Sequence, residues 1–97
     1  MILAFSVTPL GASDSVGEIV ADCVRIVRDS GLPCETNAMF TNVEGEWDEV
    51  MAVLKACIDH AASRAPRVSV VAKLDHRPGH EDALAAKVER VEDLLGD

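Results

Sequence analysis

Aromatic residues are the scarcest class in this chain of 97 residues, which has no tyrosine and only Phe5, Phe40 and Trp47. Apolar residues still make up 48% of the sequence, so the core has to be aliphatic. A chain of this length has room for one core, and we therefore expect a single domain over residues 1–97. A small aliphatic core is only marginally stable, which favours association into oligomers.

Cysteines are also few, and their number is odd: Cys23, Cys34 and Cys57. No CxxC pair is present, which argues against a disulfide framework and against a zinc site. Each cysteine lies within an apolar pattern, as expected of a buried structural thiol.

Long apolar runs are missing, and none approaches the roughly 20 residues that a membrane-spanning helix needs. The N-terminal apolar stretch has no basic segment before it and is interrupted by Ser6 and Thr8, unlike a signal peptide. We therefore expect a cytoplasmic protein without a membrane partner.

Positive charge is in short supply, because nine Lys and Arg stand against 17 Asp and Glu, giving a formal net charge of −8. An acidic surface repels phosphate backbones and anionic membranes, so nucleic acid is not an expected partner. The same field would attract a cationic small molecule.

The apolar spacing predicts seven elements. Alternating residues predict strands at 2–8 and 67–75, and weaker patterns predict strands at 34–39 and 41–45. Spacings of three and four predict helices over 16–29 and 46–64, the second with Trp47 in its buried stripe. Ser15 and Glu18 have capping-box spacing, and Gly31 fits a helix end. Glu81 and Asp82 begin a third helix, with apolar residues expected to face inward at Leu84, Val88, Val91 and Leu94 or Leu95.

The order β-α-β-β-α-β-α predicts an α+β fold. Two right-handed crossovers on one sheet give a ferredoxin-like βαββαβ sandwich with a four-stranded antiparallel sheet and an extra C-terminal helix. Both main helices then lie on one side of the sheet. The open face on the other side should carry a mixed set of residues: Ser6, Thr8, Ser69, Val71, Lys73 and Asp75.

Catalytic and metal-binding motifs are weak. His76 and His80 are four residues apart, but Pro78 and Gly79 between them disfavour the helix that a metal pair would need. Ser, His and Asp residues occur without a nucleophile elbow, and no glycine-rich phosphate loop is present. An isomerase that uses Glu44 or Asp75 as its base stays open as an alternative.

Three segments together resemble the MTH1187/YkoF-like family of small thiamine-binding proteins. They are Phe5-Ser6-Val7-Thr8-Pro9-Leu10-Gly11, Val43-Glu44-Gly45-Glu46-Trp47-Asp48-Glu49-Val50 and Ala65-Pro66-Arg67-Val68-Ser69. The resemblance covers nearly the whole chain. It implies a ferredoxin-like fold, dimers that pair into a tetramer, and binding of thiamine or its hydroxymethylpyrimidine moiety without catalysis, cofactor or metal. The implied role is carriage, buffering or salvage of the vitamin.

The resemblance also implies ligand-binding residues, carried onto matching positions: Ser6, Thr8, Met39, Thr41 and Glu44. Asp75 joins them because it falls on the same sheet face. Relatives tend to have Thr-Pro-Met-Gly-Thr where this chain has Asn37-Ala38-Met39-Phe40-Thr41. Phe40 either stacks on a pyrimidine ring or fills the pocket. The alternative function is a ligand-free structural or regulatory module whose open sheet is buried against its own copy.

Overall fold

The architecture is an α+β sandwich of one four-stranded sheet and three helices, as the sequence predicts. The structure, a computed structural model, describes residues 1–12, 15–79 and 83–96. In chain order the elements are β1 Ile2–Leu10, α1 Val16–Asp29, β2 Cys34–Thr36, β3 Thr41–Glu44, α2 Trp47–Arg64, β4 Arg67–Asp75 and α3 Ala83–Leu95. The strand order is β2-β3-β1-β4, and every neighbouring pair is antiparallel. This is the ferredoxin-like topology.

The core lies between the sheet and the two long helices. Leu3, Phe5 and Val7 of β1 are buried, and Val43 of β3 pairs with Leu3 on the same face. Helices α1 and α2 cover this face with one buried stripe each: Ile19, Cys23 and Val27, then Val50, Val53, Cys57 and Ala61. The core is aliphatic apart from Phe5 and two thiols, as the composition requires.

Two of the cysteines join α1 to α2. The Cys23 thiol lies 3.6 Å from the carbonyl oxygen of Cys57, and the Cys57 thiol lies 3.5 Å from that of Cys23. The hydrogen bond with Cys23, together with burial, raises the pKa of Cys57, so this thiol stays neutral. Both are therefore buried structural thiols, as expected, whereas Cys34 is only partly buried.

The helix ends differ from prediction at two places. Ser15 precedes α1, but its side chain makes no capping hydrogen bond, so the predicted capping box is not formed. Trp47 was expected in the core and is 54% exposed. The buried stripe of α2 includes Val53 and is therefore rotated relative to the predicted one. Trp47, the first residue of the helix, lies at the margin of this stripe.

The bounds of the strands also differ from the prediction. β1 continues to Leu10 because β4 pairs with it as far as Arg67. β3, in contrast, pairs only with residues Ile2 to Phe5 of β1. After Phe5, β1 therefore has no strand on its β3 side and forms an edge of the sheet. Pro9 is tolerated there, because a proline within a strand is accommodated at an edge. β2 and β3 are shorter than predicted, ending at Thr36 and Glu44.

The open face is arranged as the alternation predicts. Ser6 pairs with Val71 and Thr8 with Ser69, out of phase with the buried Phe5 and Val7. α3 covers one end of this face, where the Leu84 amide donates to the Glu44 carboxylate at 3.4 Å. Of the predicted inward stripe of α3, Leu84 is partly buried, and Val88 borders the spaces between the helix and the sheet although it is 50% exposed. The prediction is wrong beyond Val88, because Val91, Leu94 and Leu95 are 54–75% exposed. The predicted helix start at Glu81 and Asp82, and His80, lie outside the described residues.

Candidate functional site

A notch in the sheet holds four of the six predicted ligand-binding residues. The pairing of β1 with β3 stops at the Phe5–Thr41 pair, whereas β4 pairs with β1 for five further residues. No strand therefore flanks Ser6 and Thr8 on the β3 side. A cavity of about 220 Å³ occupies this gap. Ser6, Thr8, Met39 and Thr41 all line this cavity, which we call the β1 notch.

The β1 notch combines apolar walls with neutral hydrogen-bonding groups. One wall is α1, through Val16, Val20 and Val24, and the other is the connection from Thr36 to Thr41. Its hydroxyl groups belong to Ser6, Thr8, Thr36 and Thr41. The described lining contains no charged side chain. Such a site can bind a flat neutral ring between apolar walls and orient it through a few hydrogen bonds.

The 37–40 loop is folded by its first residue. The Asn37 side-chain oxygen accepts hydrogen bonds from the amides of Met39 and Phe40, both at 2.9 Å. The Asn37 amide donates to the Phe40 carbonyl at 2.9 Å, which closes the turn between β2 and β3. Asparagine does this readily because its side chain can replace a backbone acceptor. Because the loop occupies residues 37–40, β3 begins only at Thr41, which leaves the β1 notch beside Ser6 and Thr8.

Phe40 and Met39 lie at the notch in different ways. Phe40 is partly buried and lines the cavity, yet about 220 Å³ of space remains beside it. Of the two alternatives for Phe40, this geometry favours a wall over a plug. Met39 is 73% exposed at the loop tip, where its flexible side chain can close over a ligand.

Glu44 and Asp75 lie elsewhere, beneath α3. Glu44 is only 7% exposed and borders a groove of about 440 Å³ between β2 and α3. Asp75 borders a second cavity of about 360 Å³, which we call the α3 cavity. Its lining contains Ile2, Ala4, Asn42, Lys73, Leu84 and Lys87. The structure thus brings four of the six residues together and places the two carboxylates at the other end of the sheet, with Asn37 bordering both cavities.

Sequence reasoning missed several residues of the β1 notch. Val16, Val20 and Val24 repeat at intervals of four, a spacing typical of a core-facing stripe, but Val16 and Val20 are exposed. Their spacing places them on one side of α1, next to the buried stripe of Ile19 and Cys23. Asn37 could have been found from its ability to fold a turn, since it stands between two strand patterns.

A polar cluster joins α1 to α2 on the outside of the helical layer. Asp22 lies 2.9 Å from His60 Nε2, 2.9 Å from Arg25 and 3.9 Å from Arg64. The hydrogen bond from His60 lowers the pKa of Asp22. Ser63 donates to the His60 carbonyl at 2.6 Å rather than to its ring, so the group does not form a Ser-His-Asp relay. Its geometry is that of an interhelical ion pair.

The described residues offer neither a metal centre nor a membrane-spanning helix. They contain no group of three or more His, Cys, Asp or Glu side chains placed to hold a metal ion. Within the described ranges, no helix has the length and apolar character needed to cross a membrane.

The fold and the β1 notch together define a small ferredoxin-like protein with a cavity at the edge of its sheet. Residues 3–92 match the family model described as thiamine-binding protein, and the chain belongs to this family. The UPF0045 protein Mb1933 of Mycobacterium bovis is 56% identical over 96 residues, which cover 98% of this chain and 94% of that protein.

Solved structures agree with this assignment. A domain of unknown function, DUF77, from Bacillus cereus is 29% identical, with a TM-score of 0.86 over 95% of this chain and 89% of that one. The hypothetical protein MJ1052 from Methanocaldococcus jannaschii is 28% identical, with a TM-score of 0.83 over 95% of each chain. Both similarities span nearly the whole chain and support the ferredoxin-like fold.

Proposed function

We propose that this protein binds thiamine or its hydroxymethylpyrimidine moiety in the β1 notch, without catalysis, in carriage or salvage of the vitamin. The observation that carries the proposal is the notch itself, where four hydroxyl-bearing side chains surround a cavity between apolar walls. The family to which the chain belongs is described by the same ligand.

The volume of the β1 notch favours the pyrimidine half of the vitamin. Small-molecule pockets usually measure about 300–1,000 Å³, and this cavity of about 220 Å³ falls below that range. It therefore suits a single substituted ring. The cationic thiazolium of thiamine would extend towards solvent, where the acidic chain attracts positive charge.

Five notch residues divide into three proposed roles. The hydroxyl groups of Ser6, Thr8 and Thr41 would exchange hydrogen bonds with the ring nitrogens and the amino group, because a hydroxyl both donates and accepts. Met39 would cover the outer side of the ring. Phe40 would stack on one face, as aromatic rings do at offset or edge-on geometry.

The absence of catalysis is part of the proposal and rests on the positions of the two carboxylates. Glu44 bonds to the first turn of α3, and Asp75 is paired with Lys87. Neither carboxylate borders the β1 notch. A base for the isomerase alternative would have to reach the bound ring directly or through one water, which this arrangement disfavours.

We also propose a single domain over residues 1–97, a cytoplasmic location, and assembly as dimers that pair into a tetramer. The three free thiols are usual in a reducing compartment. Assembly is supported by exposed apolar side chains, Val71 and Leu74 on the edge strand β4 and Leu94 and Leu95 on α3. Light scattering after size exclusion would give the mass of the assembly.

Isothermal titration calorimetry with thiamine and with hydroxymethylpyrimidine tests the binding proposal. We expect saturable binding of both ligands to the wild-type protein. Thr8→Val keeps the side-chain shape and removes a hydroxyl, so the affinity should fall roughly three- to tenfold. Ser63→Ala, on the far side of α2, serves as the control and should leave the affinity unchanged.

The alternative function, a ligand-free structural or regulatory module, leads to the opposite prediction. If it is correct, Thr8→Val or Ser6→Leu changes the mass of the assembly, and neither the wild type nor the variants bind thiamine or hydroxymethylpyrimidine. If millimolar thiamine and hydroxymethylpyrimidine produce neither heat nor a thermal shift, the binding proposal is wrong.

A further inference from the structure

Two carboxylates stand in one row of the sheet and point to the same face. Ile2 pairs with Glu44 on β3 and with Asp75 on β4. Residues directly opposite one another in antiparallel strands project to the same side. Ile2, Glu44 and Asp75 therefore form a row across three strands, on the side away from α1 and α2.

Both carboxylates contact α3 within a single helical turn. Glu44 Oε1 accepts a hydrogen bond from the Leu84 amide at 3.4 Å, and Asp75 Oδ2 accepts one from Lys87 Nζ. Positions three apart lie on the same side of a helix, so one side of the first turn meets both carboxylates. We propose that Glu44 and Asp75 form a latch that holds α3 as a lid over the open face of the sheet.

Burial supports this role for Glu44. The side chain is 7% exposed, and a buried carboxylate is destabilising unless fixed donors satisfy it. The first turn of a helix offers free amide groups and the positive end of the helix dipole. The carboxylate and the start of α3 therefore stabilise each other.

The remainder of α3 is weakly attached to its own sheet. Among the described side chains of α3, Leu84 alone is partly buried. Val88 and Val91 are 50% and 54% exposed, so little apolar burial opposes release of the helix. An element with few buried contacts opens at a lower free energy than the core. Within one chain, the latch is therefore the main attachment of α3 to the sheet.

The lid covers a cavity distinct from the β1 notch. The α3 cavity, of about 360 Å³, has Ile2, Ala4 and Asn42 on the sheet side and Leu84 and Lys87 on the helix side. The α3 cavity already reaches solvent at its rim, where Asp75 and Lys87 are partly exposed. Opening α3 would remove its helix side and expose the row of the sheet beneath it. The latch residues thus control how far the α3 cavity is covered and leave the notch lining unchanged.

Hydrogen–deuterium exchange tests the latch directly on the full chain. We compare the wild type with Glu44→Gln, Asp75→Asn and the double variant. The matched controls are Glu18→Gln, on the exposed start of α1, and Asp59→Asn, which removes the surface pair with Lys55.

We expect amides of residues 84–95 to exchange roughly tenfold faster in Glu44→Gln, whose carboxylate is buried, and roughly two- to fivefold faster in Asp75→Asn, whose pair with Lys87 is exposed to solvent. Exchange should be faster still in the double variant, with β1 amides and both controls unchanged. Unchanged exchange in α3 would overturn the latch. Equal acceleration in β1 would overturn it too, because Glu44 would then support the whole sheet.

Calorimetry on the same variants separates a latch from a ligand contact. We expect hydroxymethylpyrimidine affinity to stay within twofold of wild type in Glu44→Gln. A larger loss of affinity, with α3 exchange unchanged, would assign Glu44 to the ligand and contradict the inference. If the wild type binds no ligand, the proposed function fails, while the exchange experiment still decides on the latch.

Discussion

Removing the Phe40 ring distinguishes a binding wall from a plug. The ring is partly buried and borders the β1 notch beside a free volume of about 220 Å³. Aromatic contacts contribute about 0.5–1.5 kcal/mol beyond burial. Covering roughly 40 Å² of ring face adds about 1 kcal/mol at ~25 cal/mol per Å². Phe40→Ala should therefore weaken hydroxymethylpyrimidine binding by about 1.5–2.5 kcal/mol, or roughly 10- to 60-fold in Kd.

The assay for Phe40→Ala is calorimetry with the free pyrimidine, so that the thiazolium adds nothing to the heat. Phe40→Leu keeps an apolar wall without the aromatic face and should fall between wild type and Phe40→Ala. Trp47→Ala is the matched control, since this aromatic residue is 54% exposed and does not border the notch. Tighter binding by Phe40→Ala would refute the reasoning, because it would show that the ring occupies the ligand's place.

Three further predictions concern the framework of the site. Leu3→Ala removes a fully buried side chain from β1 and should lower the free energy of unfolding by about 3 kcal/mol in urea denaturation; a loss below about 1 kcal/mol would contradict the core assignment. Because the bond from His60 lowers the pKa of Asp22 below 3.8, the stabilisation from their pair is present above pH 3.8 and is lost as the pH falls through the folded-state pKa. Wild-type protein should therefore lose thermal stability more steeply than Asp22→Asn on acidification, and parallel pH profiles would refute this. Gly31→Ala, at φ +78°, should lower the unfolding free energy by about 1 kcal/mol. Gly17→Ala should not, because Gly17 lies in α1 and an added Cβ would make only an ordinary contact with Ser15 Oγ at 3.6 Å; equal effects would contradict the left-handed helix end.

Local periodicity was sufficient to predict the fold. The alternation in β1 and β4 fixes which residues face the helices, and Phe5 and Val7 are buried while Ser6 and Thr8 lie on the other side. Gly31 takes a positive φ just after α1, as its position past the helix predicts. These features depend on neighbours within a few residues, which sequence patterns record directly.

Features that depend on how a helix lies against the sheet were not predictable in the same way. Trp47 fits the apolar repeat of α2, but the repeat does not show how far the buried stripe rotates towards Val53. Val91 fits an inward stripe on α3, but the helix is attached mainly at its first turn.

Strand register separates the predicted site residues. The family resemblance groups Ser6 and Glu44 into one site, to which Asp75 is added because it falls on the open face of the sheet. The register places them at opposite ends of the β1–β3 pairing, so the notch and the α3 latch become separate structures. Register depends on tertiary pairing, which the period of two along each strand does not specify.

An NMR titration of ¹⁵N-labelled protein with hydroxymethylpyrimidine tests the central claim most directly, because it reports where the ligand binds. We predict saturable shifts at the amides of residues 5–8 and 36–41, around the β1 notch, and little change at residues 84–88 of α3. Saturable shifts concentrated at residues 84–88, or no shifts at millimolar ligand, would contradict binding in the β1 notch.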